Sequence, residues 1–179
     1  MTPSKGLLEK LAGGDRRSIG RSNDVAAMVL KQPALFGELV RGLRAADLLV
    51  RMRAADAAEK VSVMLPELLR PFKHELLQLA DEASEQEPRW HLAQIVPRLP
   101  LTGKDRRRAA STFRRYLDDH SSIVKTFALQ ALADLAAQDE SLLPEVTALL
   151  QTSSRNGTAA MRARSRKILR QFEAGRNAV

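Results

Sequence analysis

The residue types that most often perform acid–base or metal chemistry are few here and are not spaced for it. The three histidines, His74, His91 and His120, lie far apart, and no two show the i, i+4 spacing of a helical metal site. Asp118 and Asp119 precede His120, but neighbouring residues on a helix point about 100° apart, so the run is no preformed dyad. Without cysteine there is no thiolate ligand for zinc. We predict a non-enzymatic protein without cofactor or metal.

Arginine is the residue type whose abundance bears on binding. Of 29 Lys and Arg residues 21 are arginine, and the net charge is +8. The planar guanidinium group contacts phosphate and carboxylate groups through two parallel hydrogen bonds. Helical spacing places Arg107, Arg108 and Arg115 opposite Phe113, with Arg114 flanking them. This surface is either a groove for a phosphate backbone or an acidic peptide, or a solvated face of an arginine-rich protein.

The elements that must position these residues follow an internal repeat. Arg51, Arg89, Lys125 and Arg162 recur at spacings of 38, 36 and 37 residues. Apolar residues around three of them share one helical face. On the first copy this face holds Val50, Ala54, Ala57, Ala58 and Val61; on the third, Val124, Ala128, Ala131, Leu132 and Leu135; on the last, Met161, Ser165, Ile168, Leu169 and Phe172. The Arg89 copy matches least, because Pro97 should end or kink its helix early.

A second amphipathic helix is predicted after each of the first three repeat helices. These helices start near Pro66, after Thr102 as N-cap, and near Ser141. An earlier, divergent hairpin has Pro33 as the first residue of its second helix, and a short capping helix ahead of it ends at the glycine pair that begins with Gly13. No stretch alternates with period two, so we predict no strands. The sequence therefore predicts about ten helices in roughly five layers, the last incomplete.

The first clear copy resembles a HEAT repeat. Residues Asp47 to Val61 have the form D-x-x-V-R-x-x-A-A-x-A-x-x-x-V, and the resemblance extends to about Phe172. It implies an all-α protein, an α-α superhelix in which about five helical hairpins form a right-handed curved stack. We expect one domain over residues 1–179, with a divergent cap and first hairpin in 1–45, clearer repeats in 46–174 and a short disordered C-terminal tail.

The resemblance also implies a role for the recurring cation. In HEAT-like arrays this residue often pairs with an acidic side chain of the same or the neighbouring layer, which forms a ladder along the stack. Carried onto this sequence, that implies structural rather than ligand-binding roles for Arg51, Arg89, Lys125 and Arg162, with Asp47 as one candidate partner.

Two functions remain open, because HEAT arrays serve as scaffolds, transport receptors, phosphatase subunits and, in one branch, DNA glycosylases. The first is a non-catalytic binding module or scaffold that holds a protein or peptide on its concave surface. The second is nucleic-acid binding, or glycosylase-like DNA processing, through the groove around Arg107 and Arg115.

No run of about 18 apolar residues occurs, and no signal peptide is recognisable, so we expect a cytoplasmic protein without membrane association. Cap-like helices at both ends favour a monomer.

Overall fold

Helices make up all the regular secondary structure in the part of the chain that the structure, a computed structural model, describes. That part comprises residues 6–15 and 18–177. It contains nine α-helices and five short 3-10 segments and no strand, which confirms the all-α prediction. The chain divides into two compact units, residues 1–100 and residues 101–179. The curved superhelical stack stays a prediction.

The first unit is built around one central helix. Its five α-helices are α1 (Ser22–Lys31), α2 (Phe36–Gly42), α3 (Leu48–Met64), α4 (Lys73–Glu82) and α5 (Gln86–Ile95). Helix α3 packs against α1, α2 and α5. Its predicted apolar face, from Val50 to Val61, is buried, and the alanines on it are fully buried. Because alanine adds little bulk, three helices can approach α3 closely.

Prolines interrupt two of the predicted helices in this unit. The helix expected from Pro66 begins as a 3-10 segment, Pro66–Phe72, and becomes α-helical only at Lys73. Pro71 lies within that segment and lacks the N–H that an α-helical turn would use. Pro97 lies in the 3-10 segment Val96–Arg98, directly after α5 ends. The early end of the helix in the Arg89 copy is therefore confirmed.

Segments outside the predicted repeats follow the expected local chemistry. The short helix Leu8–Lys10 is followed by Gly13 and Gly14 with φ of 75° and 83°, a backbone conformation that glycine adopts without strain. Leu7 and Leu11 are buried on either side of this helix. The capping helix is therefore a single 3-10 turn that ends at Lys10, earlier than the predicted end at Gly13.

The second unit contains the last four α-helices. They are α6 (Gly103–Tyr116), α7 (Ser122–Ala136), α8 (Leu143–Asn156) and α9 (Ala159–Asn177). Helix α7 packs against α6, α8 and α9, and α8 packs against α9. Thr102 and Asp105 form the reciprocal capping box of α6, which confirms the predicted N-cap. The predicted apolar face of α7 is buried throughout.

The last helix departs from the prediction on its apolar face. Ser165 and Ile168 are buried, but Met161, Leu169 and Phe172 are only half-buried.

Helix α9 continues to Asn177, past the predicted end of the repeats. The final two residues of the expected tail lie outside the described residues. Among the helices that the structure describes, none combines the length and the apolar character needed to span a bilayer.

Candidate binding site

An open groove of about 690 Å³ runs along the second unit. Ala136, the last residue of α7, and the exposed Ala137 after it contribute to its lining. Helices α8 and α9 form its walls. The described lining residues are Ala136, Ala137, Glu140, Leu143, Pro144, Thr147, Gln151, Leu169, Gln171, Phe172, Glu173 and Gly175. The half-buried residues Leu169 and Phe172 are therefore part of a concave apolar surface rather than of the core.

The wall contributed by α8 is regularly spaced. Leu143, Thr147 and Gln151 follow one another at intervals of four residues and so lie on the same face of the helix. At about 1.5 Å per residue this row is roughly 12 Å long. Ala148, the neighbour of Thr147, is exposed and does not line the groove. The groove therefore has the length of two helical turns.

The charge of the groove differs from that of the whole chain. The two charged side chains among its described lining residues, Glu140 and Glu173, are both carboxylates and both exposed. The chain as a whole carries a net charge of +8. A ligand with cationic groups beside apolar ones is complementary to such a groove.

The predicted cationic surface of α6 is assembled only in part. Arg107, Arg108 and Arg115 are exposed, together with Lys104. Arg114 is instead held by α8: its Nη2 donates to Oε2 of Glu145 at 2.5 Å, and its Nε donates to Oε1 of the same carboxylate. Arg114 therefore joins two helices of the second unit, and its role in partner binding stays a prediction.

The contacts of the recurring cations differ in part from the acidic partners that the resemblance implies. Three of the four repeat cations donate to a backbone carbonyl five or six residues upstream, in the loop before their own helix. Arg51 Nη1 donates to Ala45 O at 2.6 Å, Arg89 Nε to Ala83 O at 2.8 Å, and Arg162 Nη1 to Gly157 O at 2.7 Å. Each of these arginines fixes the loop that precedes its helix.

Arg51 also makes the inter-helix ion pair that the resemblance implies. Its Nη2 lies 2.8 Å from Oε1 of Glu85, which is the residue before α5. Asp47 is not its partner, because that carboxylate accepts the backbone N–H of Leu49 as the N-cap of α3. Lys125 is half-buried, and its ladder role stays a prediction.

Arg53 is a structural residue that the repeat pattern does not identify. It is 2% exposed, and its guanidinium group donates to four backbone carbonyls of the N-terminal segment. The acceptors are Leu11 at 2.7 Å, Gly13 at 2.5 Å, Asp15 at 2.9 Å and Ser18 at 3.3 Å. Gly20 lies against the same group, since a Cβ there would be 2.7 Å from the Cζ of Arg53. The glycines before α1 are the signal in the sequence for this close approach.

Other arginines contact mainly side chains of neighbouring elements. Arg98 contacts Glu59 and Ser62, Arg106 contacts Leu101 and Asp139, and Arg164 contacts Gln130. Much of the arginine content therefore serves to connect helices and loops.

His91 belongs to a buried polar cluster in the first unit. Its Nε2 is 3.9 Å from Oδ1 of Asp56, and that carboxylate accepts hydrogen bonds from Lys60 at 2.5 Å and from the Ser22 hydroxyl. Burial lowers the pKa of His91 to about 4; the Asp56 charge opposes this shift, and the Lys60 charge adds to it. Ser22 is itself fully buried. The cluster therefore connects α1, α3 and α5.

Comparison with known proteins gives no identification: no protein-family model, no curated protein and no solved structure matches the chain. The groove and the exposed cations of α6 are therefore the two candidate binding surfaces.

Proposed function

We propose that this protein is a non-catalytic binding module of the HEAT-repeat type that holds a protein or peptide partner. The observation that carries the proposal is the groove of the second unit, whose apolar walls on α8 and α9 are left half-exposed. Repeat proteins bind partners along concave surfaces of this kind. The partner lies in the groove that α8 and α9 line together.

Leu169 and Phe172 are large apolar side chains of the groove. Full burial of a leucine or phenylalanine side chain stabilises by about 1.5–3 kcal/mol. Because only the smaller part of each is exposed, covering that part contributes less than about 1 kcal/mol per residue. Leu143 adds to this contact. A ligand that excludes water from these residues gains this free energy, and further contacts along the groove must offset the cost of association. Thr147 and Gln151 offer polar contacts that fix the position of the ligand.

The test uses two adjacent positions on α8 that differ in whether they face the groove. Thr147→Glu introduces a carboxylate into the groove, and Ala148→Glu introduces the same group on an exposed part of the helix. Partners captured on the wild-type protein are purified, and their affinities for the three proteins are measured by calorimetry. We expect Thr147→Glu to weaken binding by about tenfold or more, equivalent to about 1.4 kcal/mol, and Ala148→Glu to leave it nearly unchanged.

Circular dichroism establishes that both variants keep the helical fold. If every captured partner binds the two variants equally well, the groove is not the binding surface and the proposal fails.

A second candidate function is nucleic-acid binding by the exposed cations of α6. Lys104, Arg107, Arg108 and Arg115 lie on one helix and are exposed, which favours contact with a phosphate backbone. Four cations support only weak, nonspecific binding whose affinity falls steeply as salt rises. Glycosylase-like processing of DNA stays a prediction.

A further inference from the structure

We infer that the groove receives an amphipathic α-helix that carries lysine or arginine beside its apolar face, an inference that rests on the proposed binding function. Three features of the groove support this ligand: the secondary structure of its walls, the spacing of its lining residues and the sign of its charge.

The walls favour a helix over an extended peptide. Both are α-helices, whose backbone N–H and C=O groups are already paired within the helix along α8 and α9. An extended peptide would find no strand edge here and would leave its own backbone groups unpaired against apolar side chains. A helical ligand pairs its backbone internally and needs only side-chain contacts.

The spacing of the lining residues fits the surface of a third helix. The row Leu143, Thr147 and Gln151 runs for about two turns, and Leu169 and Phe172 face it from α9. Side-chain rows at intervals of four residues form the ridges between which a neighbouring helix packs, with its axis about 8–10 Å away. The ligand therefore presents apolar residues at i, i+3 or i+4, and i+7.

The charge places cations near one end of this ligand. Glu140 lies just before α8, and Glu173 lies in the last turns of α9. Because α8 and α9 are consecutive helices joined by a short turn and packed together, the start of α8 lies beside the end of α9. Both carboxylates are therefore at the same end of the groove, where lysine or arginine of the ligand forms exposed ion pairs that change affinity by up to about fivefold each.

The experiment is a selection from a displayed library of random 15-residue peptides. The library is panned on wild-type protein, depleted on Thr147→Glu, and recovered again on Ala148→Glu. We expect the enriched peptides to show apolar residues at helical spacing with Lys or Arg near one end, and the synthetic peptides to become helical when the protein is added. Gln151→Glu and its exposed neighbour Thr152→Glu serve as a second matched pair.

The charge is tested by two reversals of equal size. Glu140→Lys changes the groove, and Asp118→Lys changes an exposed carboxylate outside its lining. The affinity of the selected synthetic peptides, measured by fluorescence anisotropy, should fall about fivefold with Glu140→Lys and stay within twofold with Asp118→Lys.

Failure of this inference is distinct from failure of the proposed function. Groove-dependent peptides that lack helical spacing, or that carry acidic residues, overturn the inference and leave the binding function standing. A library that yields no groove-dependent peptide overturns both. A dimer in analytical ultracentrifugation that Thr147→Glu dissociates and Ala148→Glu does not shows that a second copy of this chain fills the groove, which also overturns the inference.

Discussion

At the scale of single residues, several arginines of this chain donate to backbone carbonyls. Arg51, Arg89 and Arg162 each contact the loop before their own helix, and Arg53 holds four carbonyls of the N-terminal segment. The guanidinium group has five donors in a fixed planar fork, so one side chain can satisfy several carbonyls at once. The repeat spacing in the sequence identifies which cations recur. It does not identify the carbonyls that they contact, because every residue has a carbonyl and none is marked by its residue type.

Arg53 should be one of the most sensitive positions for stability. Arg53→Met removes the donors to four carbonyls, and an unsatisfied buried polar group costs about 1–3 kcal/mol. Because the loop can move some of these carbonyls toward water, we expect the free energy of unfolding to fall by roughly 3 kcal/mol in urea denaturation. Arg107→Met, at an exposed position, should change it by less than about 0.5 kcal/mol. Equal stability of the two variants would contradict the structural role of Arg53.

At the scale of elements, helices differ in how well their limits follow from the sequence. Capping chemistry is local, and so Thr102 identifies the start of α6. The helix expected from Pro66 fails as a single element because the apolar spacing continues across Pro71, whereas the backbone hydrogen-bond pattern does not. Half-burial of Leu169 and Phe172 was not predictable from α9 itself, because burial depends on whether another element covers the face.

The buried cluster between α1, α3 and α5 makes stability depend on pH. The folded protein holds the pKa of His91 at about 4, against an ordinary value of 6.5 for histidine. Between these values the unfolded chain binds more protons, so the free energy of unfolding is highest above pH 6.5 and falls as the pH drops toward 4. The full effect of a shift of this size is on the order of 3 kcal/mol.

Urea denaturation at pH 7 and pH 5 measures this effect. Carboxylates also titrate in this range, so the informative quantity is the difference between variants. We expect His91→Gln to lose less stability than the wild type when the pH is lowered, and His74→Gln, at an exposed position, to follow the wild type. A loss of stability that is the same in all three proteins would show that His91 does not titrate as described.

At the scale of the whole molecule, the sequence predicts the helical class better than it predicts the binding surface. The spacing of apolar residues can be read along the chain, and it predicts helices without strands. The groove combines residues from Ala136 to Gly175 on three helices, and no single motif contains them. The net charge counts all cations alike. The structure shows that Arg107 is exposed, whereas Arg114 forms an ion pair with Glu145.

Nucleic acid could bind through the net charge of the whole chain or through the exposed cations of α6, and a test must distinguish the two. Two triple substitutions to glutamate change the net charge equally: one at Arg107, Arg108 and Arg115 on α6, the other at Arg166, Lys167 and Arg170, which are exposed on α9. Anisotropy of labelled duplex DNA, single-stranded DNA and RNA is followed from low to physiological salt. If α6 contacts the phosphates, the first triple substitution abolishes binding, while the second only weakens it. Equal losses would mean that binding follows net charge. Binding that survives the α6 triple would exclude that surface, and absence of binding by the wild type at low salt would leave the groove as the functional site.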